Sequence, residues 1–368
     1  MIQKKILIII DDLGRGGAET LLTGILADIK KHFSIILVTL SDKCDFYPEQ
    51  IICDKKYSLG FQNKISIPSC ISKLKKIIKD QQPSLIHSHL FYSSLIARIS
   101  CPAHIPLIYS LHGEMSKNVF NNSRVLTFLE KNTIRKNHFA MAVSKEVLKD
   151  YNNSIGENSR SFVLKNYISN VFFEKEKIKN KFGCDKKIKL VAVGNIKKVK
   201  NYKYLLKAFG HLKKHPVSLD IYGNANPADL DILREEISKE NLPVILKGPA
   251  DDIHELLPAY DMYVSCSKHE GFGLAAIEAM ACGLPLLLSD LPVYHEVTLN
   301  NALFFDVKHP LSFVNLINEI VEKKHDIHKL SFDGINISKK YTKELYVKKL
   351  FSIYDEVLKI ADNKFYFE

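Results

Sequence analysis

The chain has 368 residues, with 52 Lys+Arg against 41 Asp+Glu, for a formal net charge of +11. Hydrophobic residues make up 46% and charged residues 25%, which excludes disorder, collagen and coiled coil as the main architecture. At roughly 150 residues per domain the length suits two domains, and no run of about 18 apolar residues occurs that would span a bilayer. The start, Met1 to Ile10 followed by Asp11 and Asp12, has the outline of a signal peptide. Its apolar run is short, acids follow at once and no small-residue cleavage site appears, so it reads as a first buried strand. Further apolar runs fall at residues 35–40, 85–87, 107–110 and 140–143, then at 190–193, 219–222, 244–246, 262–264 and 286–288. Continuous runs of this kind suit parallel strands buried on both faces.

Amphipathic segments lie between the runs. One places Ile71, Leu74, Ile77 and Ile78 opposite Lys73, Lys75, Lys76 and Lys79, and another carries Leu205, Leu206, Phe209 and Leu212. Strand–helix–strand order repeated in two series, each opening with a strand that runs into glycine, predicts two doubly wound α/β domains. Their joint is expected between residues 166 and 185, where Phe172 and Phe173 give way to a charged stretch. A ligand is expected in a cleft between such domains. A last helix at about 343–360, apolar at Tyr346, Leu350, Ile353, Tyr354, Val357 and Leu358, needs a surface to cover.

Charge and cysteines narrow the setting. Residues 1–170 carry 23 Lys+Arg and 14 Asp+Glu, whereas the rest carries 29 and 27. The excess in the first half suits a polyanion, either an anionic membrane surface or nucleic acid, or is simply lysine-rich composition. The basic candidates are Lys73 to Lys79, and Arg124, Lys131, Arg135 and Lys136 flanking Val125, Leu126, Phe128 and Leu129. Either group equally suits ordinary packing helices with solvated lysines. The aromatic residues show no spacing for stacked bases, so nucleic acid is not expected as a partner. Seven scattered cysteines, at 44, 53, 70, 101, 184, 266 and 282, form no C-x-x-C pair, which suits reduced thiols in a cytoplasmic protein.

Three loops carry the chemistry. Gly14, Gly16 and Gly17 follow the first strand and precede a helix, with Glu19 just inside it. Backbone amides there can approach a phosphate, although Asp11 and Asp12 would repel it and a plain strand–helix turn needs the same glycines. Gly194, Asn195, Lys197, Lys198 and Lys200 crowd a second strand–helix junction, where an anion is favoured by the helix dipole and a lysine supplies a point charge. The third loop runs from His269 through Glu270, Gly271, Phe272, Gly273 and Leu274 to Glu278, Cys282, Gly283 and Pro285. A helix is expected to open near Gly273, whose first amides can hold a phosphate or sugar hydroxyls. Glu278 then sits about one and a half turns inside it. His87 and His89, two apart in a strand, point the same way. No third ligand stands nearby, so a polar pair is read there rather than a metal site.

Together these residues resemble the retaining GT-B glycosyltransferases of the group called family 4, over essentially the whole chain. The stretch from Glu270 to Pro285 is similar to that family's E-x7-E signature and its extension. Gly16, Gly17 and Glu19 look like its amino-terminal glycine loop. His87 and His89, Leu111-His112-Gly113, Val143-Ser144-Lys145 and Leu164 to Asn166 come in the expected order, as do Gly194 with Lys200, Gly223, Gly248 and Asp261. The resemblance implies an α/β GT-B fold of two Rossmann-like doubly wound domains facing across a cleft. It divides the chain into residues 1–170 for the acceptor, 171–345 for a nucleotide-sugar donor, and a C-terminal helix, 346–368, packing back toward the first domain.

The resemblance also implies roles for particular residues. Lys200 would contact the donor diphosphate beside amides around Gly273 and Leu274, with Gly194, Asn195 and Gly223 in the donor loops. Glu278 would bond the ribose hydroxyls. Glu270 and the amides of Phe272 and Gly273 would hold the transferred sugar, Gly17 would close over the phosphate, and His112 would line the sugar site. Glu270, Lys200 and His112 are thus the expected catalytic residues, with Gly16, His87 and His89 on the acceptor side. Many members have arginine where this chain has Asn195, and asparagine lacks the bidentate positive fork. No resident cofactor or metal is expected, in keeping with the lack of a suitable D-x-D. The expected reaction is retaining transfer of a hexose or N-acetylhexosamine from a nucleotide-diphosphate sugar, a UDP-sugar foremost, to a glycan or lipid-linked acceptor. It belongs with bacterial surface polysaccharide synthesis, in the cytoplasm or on the inner face of the membrane. The alternatives are a nucleotide-sugar epimerase on the same scaffold and a non-catalytic glycan- or lipid-binding relative.

Overall fold

The computed structural model describes residues 3–364 except 15, 122, 158–159, 179–186 and 214. Cys184 and the end of the charged stretch at the expected joint therefore lie outside the described residues. The chain divides into two compact units, one reaching to Asn166 and resuming at Lys343, the other running from Tyr167 to Thr342.

In the first unit the strands are β1 (Lys5–Ile10), β2 (Ser34–Thr39), β3 (Lys55–Ser58), β4 (Leu85–His89), β5 (Leu107–Leu111), β6 (His138–Ala142) and β7 (Ser161–Val163). All pair in parallel, in the order β3-β2-β1-β4-β5-β6-β7. Ile6, Leu7, Ile8, Ile9 and Ile10 are each 0% exposed, and burying such a side chain stabilises by roughly 1.5–3 kcal/mol. The sequence gives no apolar run at β3, whose Lys-Lys-Tyr-Ser is held at the sheet edge by its register with β2.

The second unit repeats the plan with β8 (Ile188–Val193), β9 (Val217–Tyr222), β10 (Val244–Gly248), β11 (Met262–Ser265), β12 (Leu286–Ser289) and β13 (Leu303–Phe305). These are parallel in the order β10-β9-β8-β11-β12-β13. The helix Tyr202–His211 buries Leu205, Leu206 and Phe209 against this sheet's core.

The last helix, Lys343–Lys364, belongs to the first unit. Its six expected apolar positions are all buried. Tyr354 meets Phe33 edge-on at 5.8 Å, and Lys343 pairs with Asp28 at 2.8 Å. In each sheet the strand order reverses once, between β1 and β4 and between β8 and β11. Doubly wound sheets bind ligands beyond the carboxyl ends of the strands at this point. The glycine loop and β4's histidines lie at the first switch point; the lysine loop and the Glu270 loop lie at the second.

Candidate active site

The second unit's site is built on glycine. Gly194, Gly223 and Gly248 fall at the ends of β8, β9 and β10, tied by Gly194 N–H to Tyr222 O at 2.8 Å and Gly223 N–H to Gly248 O at 2.9 Å. A Cβ on Gly223 would collide with the Gly194 carbonyl, so the two loops approach as only a side-chain-free backbone allows. Asn195 Oδ1 accepts from Asn224 N–H at 3.1 Å, which clips the loop after β8 to the loop after β9. Lys197 and Lys198 line a neighbouring cavity of about 320 Å³ with Lys203 and Lys268.

Lys200 is held otherwise. Its ammonium is ion-paired with Glu270, and Ser267 Oγ donates to the same carboxylate oxygen at 2.9 Å. The Cys266 thiol donates to the Lys200 carbonyl at 3.0 Å, and Lys268 N–H donates to Val199 O at 2.9 Å. Tyr202 Oη donates to Gly194 O at 2.8 Å. The lysine loop and the Glu270 loop are thereby fastened to each other across the β8/β11 reversal. Spacing gave no sign of Ser267, Cys266 or Tyr202. They occupy ordinary strand-end and helix-start positions, and only their partners mark them.

The helix Leu274–Ala281 starts at Gly273, whose φ of +84° is left-handed. A Cβ there would lie 2.6 Å from the Tyr294 ring. Phe272 is buried and packs edge-on against Tyr341 at 5.5 Å, which leaves its backbone rather than its ring for a ligand. Leu274 is half-buried in the first turn. Glu278 follows one turn on, and desolvation pushes its carboxyl up to about 7. Asp261 is at the opposite edge of the sheet, where its carboxylate accepts from Lys189 N–H at 2.9 Å.

In the first unit, acids occupy the glycine loop. Asp12 accepts from Gly14 N–H at 2.7 Å, and the Glu19 carboxylate lies over Gly16 at the start of the helix Gly17–Lys30. Asp11 turns away to Ser93, accepting from its N–H at 2.8 Å and from its hydroxyl. Burial raises both the Asp11 and Glu19 carboxyls.

Beside that loop, three histidines converge. The His87 and His89 rings lie 4.2 Å apart, on one side of β4 as the spacing requires. Both His87 nitrogens are engaged internally, with Tyr354 Oη at 2.7 Å and Ser110 Oγ at 2.8 Å, so His87 is a buried tie to the last helix. His89 Nδ1 lies 3.1 Å from His112 Nε2. Desolvation lowers His112 to about 4 and His87 to about 3, keeping these rings neutral. Among the described residues no group of three or more His, Cys, Asp or Glu side chains could hold a metal ion. The six described cysteines are free, and no described helix is long and apolar enough to cross a membrane.

Two family models match the chain. One, described as Glycosyltransferase Family 4, spans residues 15–169; the other, Glycosyl transferases group 1, spans 174–335. The putative glycosyltransferase EpsF of Bacillus subtilis is 26% identical over 310 residues, 78% of this chain and 79% of its own. The Campylobacter jejuni N-acetylgalactosamine-N,N'-diacetylbacillosaminyl-diphospho-undecaprenol 4-alpha-N-acetylgalactosaminyltransferase is 25% identical over 78% of this chain and 81% of its own. Among solved structures, Anabaena Alr3699/HepE in complex with UDP superposes with a TM-score of 0.81 at 18% identity, covering 96% of this chain and 100% of its own. Sucrose-phosphate synthase from Thermosynechococcus elongatus gives 0.80 at 14% identity, over 97% and 100%. With its two parallel sheets and these relatives, the chain belongs to the group 1, family 4 glycosyltransferases of GT-B fold and is a transferase enzyme.

Proposed function

We propose that this glycosyltransferase moves a hexose or N-acetylhexosamine from a UDP-sugar to a glycan or lipid-linked acceptor, with retention at the anomeric carbon, in surface polysaccharide synthesis. The observation that carries the proposal is the Lys200–Glu270 ion pair at the β8/β11 switch point, beside the first turn of Leu274–Ala281. HepE is solved with UDP and with UDP-glucose, which supports uridine as the base.

The chemistry follows from charge. As the sugar–phosphate bond breaks, negative charge grows on the diphosphate and positive charge on the anomeric carbon. Lys200 and the first-turn amides stabilise the former without reorganising. Glu270, released from Lys200 as the diphosphate arrives, accepts from hydroxyls of the transferred sugar. Glu278 takes the ribose hydroxyls, and His112 lines the sugar site as a neutral ring. Gly17 closes over the phosphate, with Gly16 on the acceptor side. The leaving diphosphate oxygen takes the acceptor's proton on the same face. No resident metal is invoked.

An anionic leaflet is the proposed cytoplasmic anchoring surface. Lys75, Lys79 and Arg135, from both basic stretches, line one groove of about 790 Å³ together with Lys4. Val125 and Phe128 are 67% and 64% exposed. Salt-dependent pelleting with anionic vesicles tests this, and indifference to lipid at low salt overturns it. The transfer itself is tested by Lys200→Ala. Loss of one such donor costs about 3–4 kcal/mol, so turnover on UDP-glucose or UDP-N-acetylglucosamine should fall at least about a hundredfold. Near-normal kinetics would place the diphosphate elsewhere.

A further inference from the structure

The first unit contains a chamber of about 240 Å³ whose lining includes His112, Arg98 and Glu130. Arg98 and Glu130 are each 1% exposed. The guanidinium is ion-paired with Glu130, Nε donates to Thr133 Oγ1 at 3.1 Å, and the cation lies 5.1 Å from the centroid of the Tyr109 ring. The other Glu130 oxygen accepts from Tyr151 Oη at 2.6 Å. Among the described residues nothing accepts a hydrogen bond from Arg98 Nη1. A guanidinium has five donors in a fixed fork, so a fully buried arginine with an idle nitrogen in a cavity wall is a recognition element waiting for an oxygen.

The remaining walls define that oxygen's chemistry. Phe91, Leu111, Met115 and Val119 give most of the wall an apolar surface, with Ser94, Ser110 and Asn118 among them. A bare sugar ring pushed in here would lay most of its hydroxyls against the apolar surface, and each one left without a partner costs roughly 1–3 kcal/mol. A carboxylate or phosphate would meet Glu130 as well as Arg98, because the pair is already neutral. A neutral group with one carbonyl oxygen and an apolar end suits both the Arg98 donor and the apolar surface. We propose that this chamber receives the acetamido substituent of the acceptor sugar. Arg98 Nη1 donates to the acetamido carbonyl, and the methyl packs against Phe91, Met115 and Val119. The inference rests on the reading of the first unit as the acceptor side, and names the acceptor as a 2-acetamido sugar.

The test is a ligand-observed NMR titration of the full chain with N-acetylglucosamine, N-acetylgalactosamine, glucose and galactose, in the presence of UDP. The acetamido sugars should bind at least about tenfold more tightly than their hydroxyl counterparts, with saturation transfer strongest at the acetyl methyl. Val119→Phe, which fills the chamber, should abolish that preference while UDP still binds. Equal affinity for acetamido and hydroxyl sugars in the unaltered protein overturns the inference, as does an undiminished preference in a UDP-binding Val119→Phe chain. Failure of UDP to bind the unaltered protein would instead contradict the donor reading.

Discussion

Replacing Glu278 with glutamine should make the protein more stable and less useful. An unperturbed glutamate titrates at 4.5, whereas Glu278 sits at about 7 because burial penalises its charged form. At about 1.4 kcal/mol per pH unit, that difference is worth about 3 kcal/mol. Between those two values the folded chain holds a proton that the unfolded chain has released. Stability contributed by this group therefore falls as pH rises from 4.5 to 7 and stays flat above. Glu278→Gln removes the dependence. The variant should match the parent near pH 4 and exceed it by up to about 3 kcal/mol at pH 8 in denaturant unfolding of the full chain. UDP affinity, read by calorimetry, should fall about 10–100-fold as charge-assisted bonds to the ribose are lost. In the parent, UDP binding near pH 6.5 should release a proton, because hydroxyl donors favour the carboxylate. No stability gain at pH 8, or unchanged UDP affinity, would refute the reasoning.

Other expectations are more structural. Gly223→Ala should destabilise by more than about 2 kcal/mol, because the Gly194 carbonyl occupies the methyl's place, and should abolish UDP binding. Arg98→Met should cost about 3–5 kcal/mol by leaving Glu130 buried and unpaired, with much of the loss recovered in Arg98→Met/Glu130→Leu. His87→Phe and Tyr354→Phe should be non-additive by about 0.5–3 kcal/mol in unfolding experiments, since one hydrogen bond joins them. His87 and His112 are held neutral down to about 3 and about 4 against an ordinary 6.5. The unfolded chain binds their protons first, so stability should decline as pH drops below 6.5, and the His87→Phe chain should decline less steeply.

The buried parallel strands were legible because their apolar runs are continuous. β3 was not, because Lys55, Lys56, Tyr57 and Ser58 form a strand only through pairing with β2. Gly273 and Glu278 could be placed by helical counting. The Lys200–Glu270 pair could not, because its members are 70 residues apart and meet only through the β8/β11 crossover. The bond from Asn224 N–H to Asn195 Oδ1 was likewise illegible, because its two residues lie on loops of neighbouring strands, 29 positions apart. His87 and His89 share a face as alternation demands, yet nothing local showed that Tyr354, 267 positions on, would claim one of them. Arg98 and Glu130 sit in helices whose polar residues look solvent-facing; packing of one helix against the other buries both.

Crystals of the full chain soaked with UDP-glucose test the central claim most directly. The account predicts diphosphate density within hydrogen-bonding distance of the Lys200 ammonium and the Gly273 and Leu274 amides, with the ribose on Glu278 and the Lys200–Glu270 pair parted. A nucleotide seated in the groove of Lys4, Lys75 and Lys79, with that pair intact, would contradict it.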